Sequence, residues 1–206
     1  NDSTSLVMAG VDIEASGNDV TFTDNGIGLL NVATSGAVNN AGLLTGASVT
    51  AASGSFNNTG LVQSAGDITI TASSISNLNS YITETNGNIA GGINTTGKLT
   101  LNATSGNIDN SGGVLTSSGL LTITSTGGLI NSRPIIGNNK NSLIYGGNDI
   151  IINAASIDNS NPYGTTGSGN FPRGILAAGN LGITATSGAV NNDSGTISAN
   201  AVTLRS

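Results

Sequence analysis

The stretch VNNAGLLTGASVTAASGSFNNTGLVQSAGDITITASS, Val38 to Ser74, says nearly the same thing twice. Phe56-Asn57-Asn58-Thr59-Gly60-Leu61-Val62 restates Val38-Asn39-Asn40-Ala41-Gly42-Leu43-Leu44 eighteen positions later. Self-similarity at a period near twenty marks a repeat architecture and has to be explained before any single motif. Along the rest of the chain, an apolar residue followed by x-Asn recurs as Val38/Asn40, Phe56/Asn58, Ile75/Asn77, Ile108/Asn110, Leu129/Asn131, Ile157/Asn159 and Val190/Asn192. Subtracting successive asparagine positions gives steps of 18, 19, 33, 21, 28 and 33, a short unit and the same unit with insertions. The first long gap, Asn77 to Asn110, leaves room for a degenerate copy at Ile93-Asn94-Thr95. At long range, Ala33 to Asn40 returns letter for letter as Ala185 to Asn192.

Short alternating segments precede several anchors, such as Ile68-Thr69-Ile70-Thr71, Leu99-Thr100-Leu101-Asn102 and Leu121-Thr122-Ile123-Thr124. Period-two alternation of aliphatic with Thr or Asn is the signature of a strand with one face buried. Ser-Gly, Gly-Gly and Asn-Gly steps separate the strands as turns, and no window carries a helical apolar period. So short a unit cannot bury its own apolar face, but stacked copies can, each strand pairing in parallel with its equivalent in the next coil. Parallel crossovers are right-handed in nearly all cases. The expected fold is therefore all-β, a right-handed parallel β-helix (β-solenoid) of about eight to ten coils, roughly 40–50 Å long. Residues 1–206 form a single repeat segment in this reading. The anchor asparagines Asn40, Asn58, Asn77, Asn110, Asn131, Asn159 and Asn192 are expected to stack as a ladder at a turn, where Asn tolerates left-handed backbone. Gly42, Gly60 and Gly112, two residues further on, are expected to supply positive φ.

Composition narrows the function classes. Of 206 residues, 8% are charged and 36% apolar, with a net charge of −6. Five basic residues, Lys98, Arg133, Lys140, Arg173 and Arg205, cannot build the patch that nucleic acid or an anionic membrane requires. Cysteine and histidine are absent, which removes disulfides and thiolate metal sites. No apolar run reaches the roughly 18–20 residues that span a bilayer, so membrane insertion is not expected. The sequence opens without a signal peptide and closes within a strand-like pattern, Val202 to Ser206, which reads as a piece of a longer chain.

The unit Ala-Thr-Ser-Gly-Ala-Val-Asn-Asn-x-Gly, with its Ile-Thr-Ile-Thr strands, resembles the haemagglutinin repeats of filamentous-haemagglutinin-type exoproteins. These are large two-partner-secreted bacterial adhesins, a family that includes contact-dependent inhibition effectors. The resemblance runs from about Val11 to Leu204. It implies a display stalk at the bacterial cell surface, an outer-membrane secretion partner for the parent chain, and a receptor on a host or neighbouring cell. Asn161-Pro162-Tyr163-Gly164 is only a faint echo of the Asn-Pro-Asn motifs of the family's secretion domain.

Motifs that carry chemistry are sparse. Gly92 to Lys98 spells GxxxxGK, but Leu99 follows in place of Ser or Thr and no helix is expected, so a turn is the better reading. A β-helical polysaccharide-degrading enzyme, the alternative function, needs two carboxylates across one bond. Asp109 and Asp158 share a repeat position about two coils apart, too far for a comfortable pair. Gly146-Gly147-Asn148-Asp149 is a single loose approach to a calcium repeat, and outward threonines such as Thr69, Thr71, Thr122 and Thr124 suit a solvated strand face. No cofactor is expected. Departures from the repeat are the strongest functional lead. Residues 131–147 and 160–174 contain all three prolines, three of the five basic residues and two of the three tyrosines. Insertions in repeats map to one face, often the binding face, so Tyr145, Tyr163, Phe171 and Arg173 are the candidate partner-binding residues.

Overall fold

A computed structural model of the chain describes residues 13–15 (backbone only), 29–80, 91–132, 141–161 and 173–206. All of its regular structure is strand, and every strand pairing is parallel. The chain winds as a solenoid with three faces. From Leu29 onward it visits the first, second and third face in turn through seven coils and finishes with a first-face strand, Ala201–Arg205. Leu99–Ala103, Ile108–Asp109 and Val114–Ser117 are the three strands of one such coil. Two strands, Ser48–Asn58 and Ile68–Asn77, run through the corner between the first and second faces. Those faces consequently merge into one 14-stranded sheet, and the third face forms a separate 7-stranded sheet. Ile13–Ala15 pairs beneath Ala37–Asn40 and adds a second-face strand at the amino-terminal side.

The alternating sequence produces the core directly. On the first face Leu30, Val49, Ile68, Leu99, Leu121, Ile150 and Leu181 stack in register, each 7% exposed or less. A parallel file, Val32, Ala51, Ile70, Leu101, Ile123, Ile152 and Ile183, stands two residues along. The second face contributes Val38, Phe56, Ile75, Ile108, Leu129 and Ile157, and the third contributes Leu44, Val62, Ile93, Leu115, Ile144 and Ile175. Four inward rows therefore meet in one continuous apolar cluster along the axis, and a coil removed from the stack would expose its rows on both sides.

Paired first-face positions differ by 19, 19, 31, 22, 29, 31 and 21 from coil to coil, by subtraction along the row that starts at Leu30. The three long coils gain their extra chain at the same corner, between the second and third faces. The segments outside the described residues there, 81–90, 133–140 and 162–172, each separate a second-face strand from a third-face strand. Ile93 and Asn94 are not a degenerate anchor. They belong to Gly92–Thr95, a third-face strand paired with Leu61–Ser64 and Val114–Ser117. The span from Asn77 to Asn110 is therefore one coil with an insertion.

Turn geometry also differs from expectation. The anchor asparagines do not take left-handed backbone; they end extended segments with their amides pointing inward. Positive φ falls two residues later, at Asn79 (56°), Gly112 (64°), Asn161 (48°) and Ser194 (56°). Gly112 has the expected role, whereas Gly42 and Gly60 are not in the positive-φ region. Gly60 is required by proximity, since a Cβ there would stand 2.2 Å from the Gly42 carbonyl oxygen of the preceding coil. Gly92 and Gly174, which open third-face strands after insertions, adopt φ of 95° and 85°, values that L side chains rarely take.

Candidate functional site

Polar groups inside the solenoid are concentrated in one column. The Nδ2 of Asn40 donates to Asn58 Oδ1 at 2.7 Å, and the relay continues through Asn77, Asn110, Asn131, Asn159 and Asn192 at 2.6–2.8 Å. Asn58, Asn77, Asn110, Asn131 and Asn159 are fully buried. The second amide hydrogen is used as well: Asn40, Asn77, Asn110 and Asn159 donate to the carbonyls of Leu61, Val114, Leu143 and Thr196 in the following coil. Each of these amides thus ties the second face of its own coil to the third face of the next. The relay has a direction. Asn192 ends it by donating to Gly195 O, and Asn40 Oδ1 begins it as a buried acceptor with no donor among the described residues. Position 15, in register beneath Asn40, is alanine.

A second polar device closes the corner between the third and first faces. Ser64 Oγ donates to Ala47 O at 2.9 Å and accepts from Gly66 N at 3.0 Å. Thr95 Oγ1 repeats this with Gly66 O and Gly97 N, and Ser117 Oγ donates to Gly119 O. Sequence reasoning does not single out these hydroxyls, although apolar-x-Ser/Thr followed two residues later by Gly recurs at 62–66, 93–97 and 115–119. The GxxxxGK match belongs to this device: Gly92–Thr95 is a strand, Thr96 to Lys98 the turn, and Lys98 N donates to Asp67 Oδ1. It offers no helix terminus to a phosphate.

The described aspartates hold turns. Asp67 and Asp149 accept from the backbone of Lys98 and Asn180 in the next coil. Asp109 and Asp158 accept from Ser111 N and Ser160 N, two residues ahead. Asp193 accepts from Ser194 Oγ. Asp109 and Asp158 are separated by the Ile130 strand, which puts them about 10 Å apart along the axis. Among the described residues no three acidic side chains gather where they could hold a metal ion, and no helix is long and apolar enough to cross a membrane. The Gly146 to Asp149 segment is an ordinary turn in which Asp149 N donates to Asn148 Oδ1.

Of the four candidate partner-binding residues, Tyr145 and Arg173 are described, and Tyr163 and Phe171 lie outside the described residues. Tyr145 projects from the third face at 40% exposure, between Thr116 on one neighbouring strand and Leu176 on the other. Arg173 is half-buried and immediately precedes Gly174–Ala177, the strand that pairs with Leu143–Gly146. The topology therefore brings them to adjacent coils of one sheet. Beside them, Val114 and Leu143 are buried although they point away from the main core, and Leu176 packs on them as a small satellite cluster. No protein-family model, no curated protein and no solved structure matches the chain.

Proposed function

We propose that the chain is a structural display segment, a stretch of β-solenoid stalk in a large secreted bacterial surface protein of the adhesin or effector-delivery kind. The observation that carries this is the unbroken internal stacking. Aliphatic rows and the asparagine relay pass through every described coil, while the described acids are engaged in turns instead of facing one another across a cleft. An enzyme on polysaccharide would need such a cleft. In the long described coils extra chain enters at one corner, which leaves their other corners free for repeat-to-repeat packing. The test is the intact mass of the native polypeptide carrying this segment, recovered from the cell surface and the medium. A chain many times the 20.1 kDa of this sequence supports the stalk; a secreted chain of about the segment's own mass refutes it.

Receptor contact is a second role for the same rod, favoured by Tyr145 standing exposed on the face beside the inserted corner. Tyrosine and arginine are enriched among residues that dominate binding energy. Alanine replacement of Tyr145 and Arg173 should weaken attachment to target cells, measured with the purified segment; unchanged attachment removes this role.

A further inference from the structure

From the third coil onward the outward side of the first face carries two columns made mostly of Thr and Asn, interrupted at Ile151 and Gly182. Its two outer columns read Thr69, Thr100, Thr122, Ile151, Gly182, Thr203 and Thr71, Asn102, Thr124, Asn153, Thr184, Arg205. Gly182 is the only glycine in either run, and a Cβ built on it would meet nothing within 4 Å. Its missing side chain leaves a cleft of about 330 Å³ between Ile151 on one side and Thr203 on the other, walled by Asn153, Thr184 and Arg205. That volume is at the small end of the range typical of small-molecule sites.

We infer that this notch binds a carboxylated sugar unit of a polysaccharide. Ile151 is 42% exposed and gives an apolar side wall for the C–H face of a ring. Asn153 offers both a donor and an acceptor, and Thr184 and Thr203 offer hydroxyls, a set that suits a ring carrying several hydroxyls. The Arg205 side chain lines the notch, and its planar guanidinium fork can meet a carboxylate with two parallel bonds. A single cation on a chain of net charge −6 disfavours densely charged phosphate or sulfate polymers. Three adjacent strands line the notch, giving it a length of about 10 Å, which accommodates about two sugar units. The inference does not depend on the stalk reading, because the site lies wholly on one sheet face.

The experiment is titration of the isotopically labelled segment with hyaluronan tetrasaccharide, neutral chitotetraose and sodium acetate, followed by amide chemical shifts. Hyaluronan tetrasaccharide is expected to shift residues 151–153, 182–184 and 203–205 saturably, with chitotetraose at least about ten-fold weaker. G182V puts a branched side chain into the notch at a position where a Cβ meets nothing within 4 Å and is expected to abolish those shifts, while R205Q weakens them about ten-fold. Absence of saturable shifts, equal binding by acetate or chitotetraose, or full binding by G182V would each overturn the assignment.

Discussion

Replacing Asn110 isolates what the buried relay contributes. Its Nδ2 lies 2.8 Å from Asn131 Oδ1, 3.1 Å from Leu143 O and 3.3 Å from Gly113 O, and its Oδ1 accepts from Asn77 Nδ2 at 2.7 Å. In N110A the Asn77 amide keeps its bond to Val114 O but its other N–H loses its acceptor, while Asn131 Oδ1 loses its donor and Leu143 O loses one. Three buried polar groups left short, each in the lower part of a range of about 1–3 kcal/mol, give a loss of about 4 kcal/mol. For a chain of this size that corresponds to a fall in melting temperature of about 8–16 °C. N110D makes a sharper test, because it preserves shape but sets a carboxyl oxygen against Asn131 Oδ1 and Leu143 O. Burial among acceptors raises the pKa of that carboxyl above its unfolded value near 4. The folded state then holds a proton that the unfolded state has released, so the stability of N110D relative to wild type falls as pH rises from about 4. Thermal melts at pH 4 and pH 7 should show N110D close to wild type at the lower value and well below it at the higher. A melting temperature within about 1 °C of wild type for N110A, or a pH-independent deficit for N110D, would refute the reasoning.

Three further outcomes follow from the same geometry. A15N places an amide in register beneath the orphaned Asn40 Oδ1 and should raise stability by about 1 kcal/mol in urea titration; no gain would mean that acceptor is already satisfied. G113A would put a Cβ 2.0 Å from Asn77 O and 2.5 Å from Asn110 Oδ1, so it should lower the urea midpoint by the equivalent of about 2–4 kcal/mol, and a neutral result would contradict the close approach of the coils. Ser53 Oγ is buried without a partner among the described residues, in register with Ala72; S53A should leave the melting temperature unchanged or raise it, and a drop would reveal a bond to that hydroxyl.

The solenoid was legible in the sequence because one row of it is nearly invariant in type. Apolar-x-Asn repeats at every coil, and the alternating Ile-Thr and Leu-Thr segments fix which side of the first face is inward. The third face was harder to read. Its strands end in Ser64, Thr95 or Ser117 on some coils and in Gly46, Gly146 or Ala177 on others, so no single residue type marks the row. That is why Ile93-Asn94 resembled an anchor: a third-face aliphatic residue with a polar neighbour has the same short-range pattern. Backbone sign was misassigned at Gly42 and Gly60 for a related reason. Sequence indicates that glycine is needed, but a positive φ and a neighbouring carbonyl 2.2 Å from a would-be Cβ demand it equally. The notch at Gly182 was visible only as an interruption in the threonine column, since its open side depends on the register of three separate coils.

The single corner at which the three long described coils gain their extra chain gives the molecule a built-in ruler. Successive strands are about 4.8 Å apart, and the chain departs at this corner in the third, fifth and sixth coils. Those departure points therefore sit at axial heights separated by about 10 Å and then about 5 Å. Lengthening or shortening an insertion leaves its height unchanged, because height is set by how many coils precede it. Adding or deleting one whole coil would move every later departure point by one fixed increment, without disturbing what it carries.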